Sequence, residues 1–203
     1  MKRIALAATI ILAASTNVQA QTPTRQTGTA DEIAVRSATR QVVTTKLSPQ
    51  QEAELTQLRK PFLGAKAACS APIALSVQGN SHHTAGQDVL LTYSTVVTNV
   101  GGAWPANSTF FAPCSGLFYF NVTFVKDAYY FGGTQDDVMV YLLRNGSSVG
   151  EAWSGEGDGA RGTGAYGVAL KLNQGDYVQT IVHSDGGPMR HLADYNFTGF
   201  LIR

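Results

Sequence analysis

The chain reads as an all-β protein, a jelly-roll β-sandwich preceded by a short helix and a tether. Three observations point that way. No helical period recurs after Ser70, β-branched and aromatic runs of strand length follow one another to the C-terminus, and glycine, asparagine or aspartate punctuation separates them. Charged residues make up only 14% of the sequence and the formal net charge is +1, which excludes the basic footprint of a nucleic-acid binder.

The N-terminus reads as a targeting signal over residues 1–20. Lys2 and Arg3 supply the positive start, Ile4 to Ala14 an apolar core, and Val18-Gln19-Ala20 a small-residue cleavage site before Gln21. The apolar run is about half the ~20 residues a membrane span needs, so no membrane-spanning segment is expected. The reading is a secreted or periplasmic protein, and the abrupt, brief leader has a bacterial look. Residues 21–70 form a second region. Up to about residue 46 it is rich in Thr, Gln, Ala and Arg and reads as a flexible tether, because it has too little apolar surface to offset the entropy of ordering. Ser48, Pro49 and Gln51 then form a helix start with a capping box. Leu55, Leu58 and Phe62 lie on one helical face, and Pro61 predicts an end near Lys60. A helix over about 48–60 is marginal alone, so it must dock either on its own domain or on sister helices in an oligomer.

The β-domain is expected over residues 71–203. Its predicted strands are Ile73–Val77, Val89–Val97, Thr109–Phe111, Leu117–Val125, Val138–Leu143, Ser148–Trp153, Gly164–Leu172, Tyr177–His183 and Asn196–Ile202. Asn145-Gly146 between two apolar runs is the plainest hairpin, because a type I′ turn places both residues at positive φ. Alternation in Val138–Leu142 and in Val168–Leu172 predicts strands that bury one face.

With these elements in place, the segment from about Pro72 onward resembles the globular C1q domain of the complement C1q/tumour-necrosis-factor superfamily. Asn99, Gly102 and Trp104 fall on its Asn-x-Gly-Gly-x-aromatic element. Phe110, Pro113, Gly116, Phe118 and Phe120 follow its Phe-x-x-Pro-x-x-Gly-x-aromatic-x-Phe corner. Asn145 and Gly146 match its hairpin, Gly175 and Asp176 its Gly-Asp element, and Phe197, Gly199 and Phe200 its closing strand. The loop between Trp104 and Phe110 is one residue shorter than the family's usual form. The resemblance implies a ten-stranded jelly roll assembling as a homotrimer, with aromatic and aliphatic side chains along the threefold axis. There is no Gly-X-Y repeat, so a collagen stalk and complement activation are not implied. Phe110, Phe118, Phe120, Phe197 and Phe200 are each read as core, and Gly116 and Gly199 as positions of positive φ or close backbone approach.

Candidate chemistry is sparse. Cys69 and Cys114 either form one disulfide, the default in an oxidising compartment, or stay as two buried thiols. The histidines His82, His83, His183 and His191 lack ligand spacing and read as solvated loop residues. Gly157 to Gly162 fits G-x-G-x-x-G without the strand and helix a dinucleotide loop requires. By analogy with relatives that bind calcium at the trimer apex, Asp136 and Asp137 are the calcium candidates, against ordinary solvated loop charge. No other cofactor is implied. No Gly-x-Ser-x-Gly elbow or Ser/His/Asp set is present, so no enzyme is expected. The reading is a secreted, non-enzymatic homotrimeric module that recognises an extracellular protein, glycan or surface. The alternative is a structural or assembly protein in which the β-trimer caps or trimerises a larger structure that residues 21–70 attach to.

Overall fold

The computed structural model describes residues 47–64, 68–83, 88–105, 108–126, 138–154, 162–184 and 190–202. The predicted leader, most of the tether, and Asp136 and Asp137 lie outside these residues.

A helix, α1 (Pro49–Arg59), continues as a 3-10 turn over Lys60–Phe62. The capping box forms: Ser48 Oγ accepts from the Gln51 amide at 3.3 Å, and Gln51 Oε1 accepts from the Ser48 amide at 2.9 Å. Among the described residues ten strands follow: β1 Ala74–His83, β2 Val89–Leu90, β3 Thr95–Val100, β4 Thr109–Phe111, β5 Gly116–Lys126, β6 Val138–Arg144, β7 Ser147–Ser154, β8 Gly162–Leu172, β9 Tyr177–Ser184 and β10 Arg190–Ile202. One antiparallel sheet has the order β3-β1-β10-β5-β8. The other runs β2-β9-β6-β7, with β4 also paired to β9. Except at the β6–β7 hairpin, each successive strand changes sheet, which is the wrapping of a jelly roll.

The two inner faces meet over an aromatic core. Phe120 stacks on Phe197 with ring centres 5.7 Å apart and meets Phe110 edge-on at 5.0 Å. Gly199 makes this possible, since a Cβ there would stand 2.6 Å from the Phe120 ring. Its role is close approach, and so is that of Gly116, where a Cβ would meet Leu201 at 2.8 Å. Positive φ is found instead at Asn145 (50°) and Gly146 (80°), as the hairpin chemistry requires.

Five sequence expectations need correction, the first being one-faced burial of β6, where Tyr141 and Leu143 are buried against Ile181 as well as Val138, Val140 and Leu142 against the core. The predicted strand Val89–Val97 is two strands in opposite sheets. Between them the chain crosses the core, where buried Tyr93 shares a 2.6 Å hydrogen bond with Thr180 and Tyr195 donates to the Thr92 carbonyl at 2.5 Å. Burial pushes the Tyr93 phenol pKa well up, keeping it neutral in this position. His82, His83 and His191 are not in loops, because β1 and β10 run longer than their apolar cores and pair His82 with His191 through the backbone. His183 lies on β9, where its Nδ1 is 2.8 Å from Asp88 Oδ1. Phe200 is not core, since it falls on the opposite side of β10 from Phe197.

Helix α1 docks on its own domain, over the outer face of the second sheet. Phe62 stacks on Phe111 with ring centres 5.3 Å apart, and Arg59 Nε donates to the Gly175 carbonyl at 2.7 Å. Leu55 and Leu58 share a narrow crevice with Leu90, Thr109 and Gln179. The chain then turns under the sandwich, where Cys69 and Cys114 form a disulfide.

Candidate functional site

The outer face of the β3-β1-β10-β5-β8 sheet is the surface that departs furthest from an ordinary solvated one. Strand alternation fixes which residues it presents. In β5 the even positions Phe118 to Lys126 are buried, so Leu117, Tyr119, Asn121, Thr123 and Val125 point outward. Their partners on β10 are Ile202, Phe200, Thr198, Asn196 and Asp194, and on β8 they are Lys171, Ala169, Gly167, Ala165 and Thr163. Beyond β10, Ala74 and Ser76 of β1 and then Val100 and Thr98 of β3 continue the rows.

Charge is nearly absent from this face. Across those paired rows the charged side chains are Lys171 and Asp194, at opposite ends. One half is apolar: Val100 (47% exposed), Leu117 (44%), Phe200 (47%) and Ile202 (37%) surround Tyr119, whose ring lies 5.3 Å from that of Phe200. The other half carries amides, hydroxyls and small residues. Gly167 leaves room for Tyr119 to lie flat across β8, because a Cβ at Gly167 would collide with the Tyr119 hydroxyl. A solvated face of an antiparallel sheet ordinarily presents polar side chains in alternation with the buried apolar ones. The contiguous apolar half here marks an interaction surface.

The other signature residues build the scaffold. Asn99 clamps the Gly101-Gly102 turn, donating to the Trp104 carbonyl (3.0 Å) and accepting from the Trp104 amide (3.2 Å). Trp104 is buried edge-on to Tyr93 at 5.6 Å. Pro113 and Cys114 turn the chain from β4 into β5. Asp176 ties the β6–β7 hairpin to its own turn. It accepts from Arg144 (3.0 Å), Asn145 (3.0 Å) and the Asn173 amide (2.9 Å), while Asn145 Oδ1 accepts from the Tyr177 amide (3.0 Å). Burial alone would raise the Asp176 pKa. The hydrogen bonds from Asn145, Asn173 and Arg144, with the Arg144 charge, outweigh it and hold the carboxyl below its usual value.

This network sets a pH dependence. A carboxylate whose folded pKa is depressed stabilises the fold above its unfolded pKa, near 4, and that contribution is lost as pH falls through the folded value. Asp176→Asn is therefore expected to lower unfolding free energy at pH 7 by about 1.5–3 kcal/mol. It should also flatten the decline in stability below about pH 4. Urea titrations at pH 7 and pH 3 check both, and an unchanged acid limb in the variant would refute the assignment.

Leu117, Tyr119, Ile202 and Val100 were not singled out from the sequence as a surface. The available signal was the alternation of β5 itself, which places Leu117 and Tyr119 opposite in parity to Phe118 and Phe120. Among the described residues, no group of three His, Cys, Asp or Glu side chains could hold a metal ion. Nor, among those residues, is any helix long and apolar enough to cross a membrane.

Several known proteins are similar to this chain. Complement C1q tumor necrosis factor-related protein 3 of Mus musculus and that of Homo sapiens are each 30% identical over 121 residues, which is 59% of this chain and 47% of theirs. The chain thus spans about half the length of the curated relatives it matches. Among solved structures, the globular domain of zebrafish complement 1qA protein covers 64% of this chain and 98% of its own at 18% identity, with a TM-score of 0.49. Murine APRIL covers 63% of this chain and 98% of its own at 10% identity, with a TM-score of 0.45. The family model of the C1q domain matches residues 74–202, from the first strand to the last. The two-sheet jelly roll, its Asn-Gly and Gly-Asp turns and that match identify this chain as a member of the C1q domain family.

Proposed function

We propose that this chain is a secreted, non-enzymatic binding module that works as a homotrimer, with the uncharged outer face of the β3-β1-β10-β5-β8 sheet as its subunit interface. The carrying observation is that face: Val100, Leu117, Tyr119, Phe200 and Ile202 form an apolar patch on a sheet nearly devoid of charge. Domains of this family typically trimerise, and burying such a patch between copies removes it from water. The leader over residues 1–20 is the basis for secretion. The ligand class is an extracellular protein, glycan or surface met by the remaining exterior. Helix α1 and the 3-10 turn after it spend Leu55, Leu58 and Phe62 on their own domain, which favours this reading over an assembly protein that uses those side chains to join sister helices.

Light scattering behind a sizing column is expected to give the mass of three chains for the secreted protein. Phe200→Asp places a carboxylate in the centre of the patch and should yield a folded monomer, its mass lower by threefold. A trimer that survives Phe200→Asp unchanged, or a wild-type monomer at micromolar concentration, would refute the interface. Repeating the measurement with chelator tests whether Asp136 and Asp137 hold calcium that the assembly needs.

A further inference from the structure

On the outer face of the other sheet, β7 presents Glu151 and Trp153, while Ala152 between them is buried in the core. Trp153 is 55% exposed, an unusual position for the largest side chain on a regular strand. The rows beside it are set by pairing: Trp153 faces Met139, which faces His183, and Glu151 faces Tyr141, which faces Ile181. Most of these neighbours are already engaged. Tyr141 donates its hydroxyl to Met139 Sδ at 3.3 Å, and His183 holds Asp88. Trp153 makes no ring contact and Glu151 no ion pair among the described residues.

We infer that Trp153 and Glu151 form a docking point for an arginine side chain of a protein partner. Residues two apart on a strand share a face and sit about 6.5–7 Å apart. A guanidinium lying flat on the indole can therefore turn its edge to the Glu151 carboxylate, combining stacking with a forked charge-assisted hydrogen bond. The chemistry of the patch selects this occupant. Its groups without a partner among the described residues are the Trp153 π face and the Glu151 carboxylate, which complement a cation. The planar guanidinium can stack on the indole and fork to the carboxylate at once, which a compact ammonium cannot. This surface lies on the sheet opposite the proposed subunit interface, so the inference does not depend on trimer formation.

The test uses the full protein with a tetra-arginine peptide and a tetra-lysine peptide of equal charge, following the indole N–H resonances of Trp153 and buried Trp104. The arginine peptide is expected to shift the Trp153 resonance and leave Trp104 in place, with affinity several-fold above that of the lysine peptide. Trp153→Ala and Glu151→Gln should each weaken arginine-peptide binding by roughly fivefold or more. Equal binding of both peptides, or binding unaffected by either variant, would overturn the inference, showing only diffuse attraction. So would a change in assembled mass on Trp153→Ala, which would place Trp153 between copies of the chain.

Discussion

Phe120→Ala is expected to lower the unfolding free energy by about 3–5 kcal/mol, the range for truncating a fully buried phenylalanine. Phe120 has no exposure, is stacked on Phe197 and meets Phe110 edge-on, and its ring fills the space Gly199 leaves open. Truncation removes contacts on three sides at once, and the sheet backbone around Gly199 has no side chain with which to refill the gap. Tyr119→Ala, one residue away on the outward side, is the informative control. It should change stability far less in the monomeric Phe200→Asp background, since Tyr119 does not belong to the core. Denaturant unfolding of both variants in that background checks the pair. A loss below 1 kcal/mol for Phe120→Ala would mean that the aromatic cluster is not the centre of the core.

The second large effect concerns the disulfide. Cys69 and Cys114 are 45 residues apart, and on the chain-entropy account closing a loop of that length stabilises the fold by on the order of 4 kcal/mol. Its position adds a local consequence. Beside it Ala68 pairs with Ser115, and Ser115 Oγ accepts from the Gln174 amide at 3.0 Å, so the bridge anchors the strap that carries helix α1 round to β1. Replacing both cysteines by serine should lower stability by up to about 4 kcal/mol. It should also raise amide exchange in residues 49–62 more than in β5 or β10. Uniform loss of protection would show that the bridge stabilises the domain as a whole and does not hold the strap.

Much of the domain was legible because its signals are local. Asn145-Gly146 demands positive φ, and Ser48 and Gln51 satisfy a helix start within one turn. The Phe-x-x-Pro-x-x-Gly corner and the Gly-Asp element could be matched to a family because the fold needs those residue types at those turns. Asp176 shows why: its carboxylate gathers donors from the β6–β7 hairpin and from its own turn. The reading failed where a residue's fate depends on distant strands. Val89–Val97 looks continuous, yet Tyr93 pulls it across the core to Thr180. Phe200 has the composition of a core residue, but three positions from Phe197 it must face the other way.

Sequence by itself determined the fold class, the turns, the helix cap and the family, since each rests on backbone preferences or spacing within a few residues. Only the tertiary structure decided which faces are left uncovered. Helix α1 covers the outside of one sheet around Leu90, Thr109 and Gln179 but leaves its β7 edge exposed, while among the described residues nothing covers the uncharged outside of the other around Phe200 and Tyr119. Trp153 and Glu151 have no ring or ion-pair partner among the described residues, while their row neighbours Tyr141, Met139 and His183 are engaged. Exposure is a property of what packs against a residue, and the packing partners here come from strands as far apart in the chain as β1 and β10.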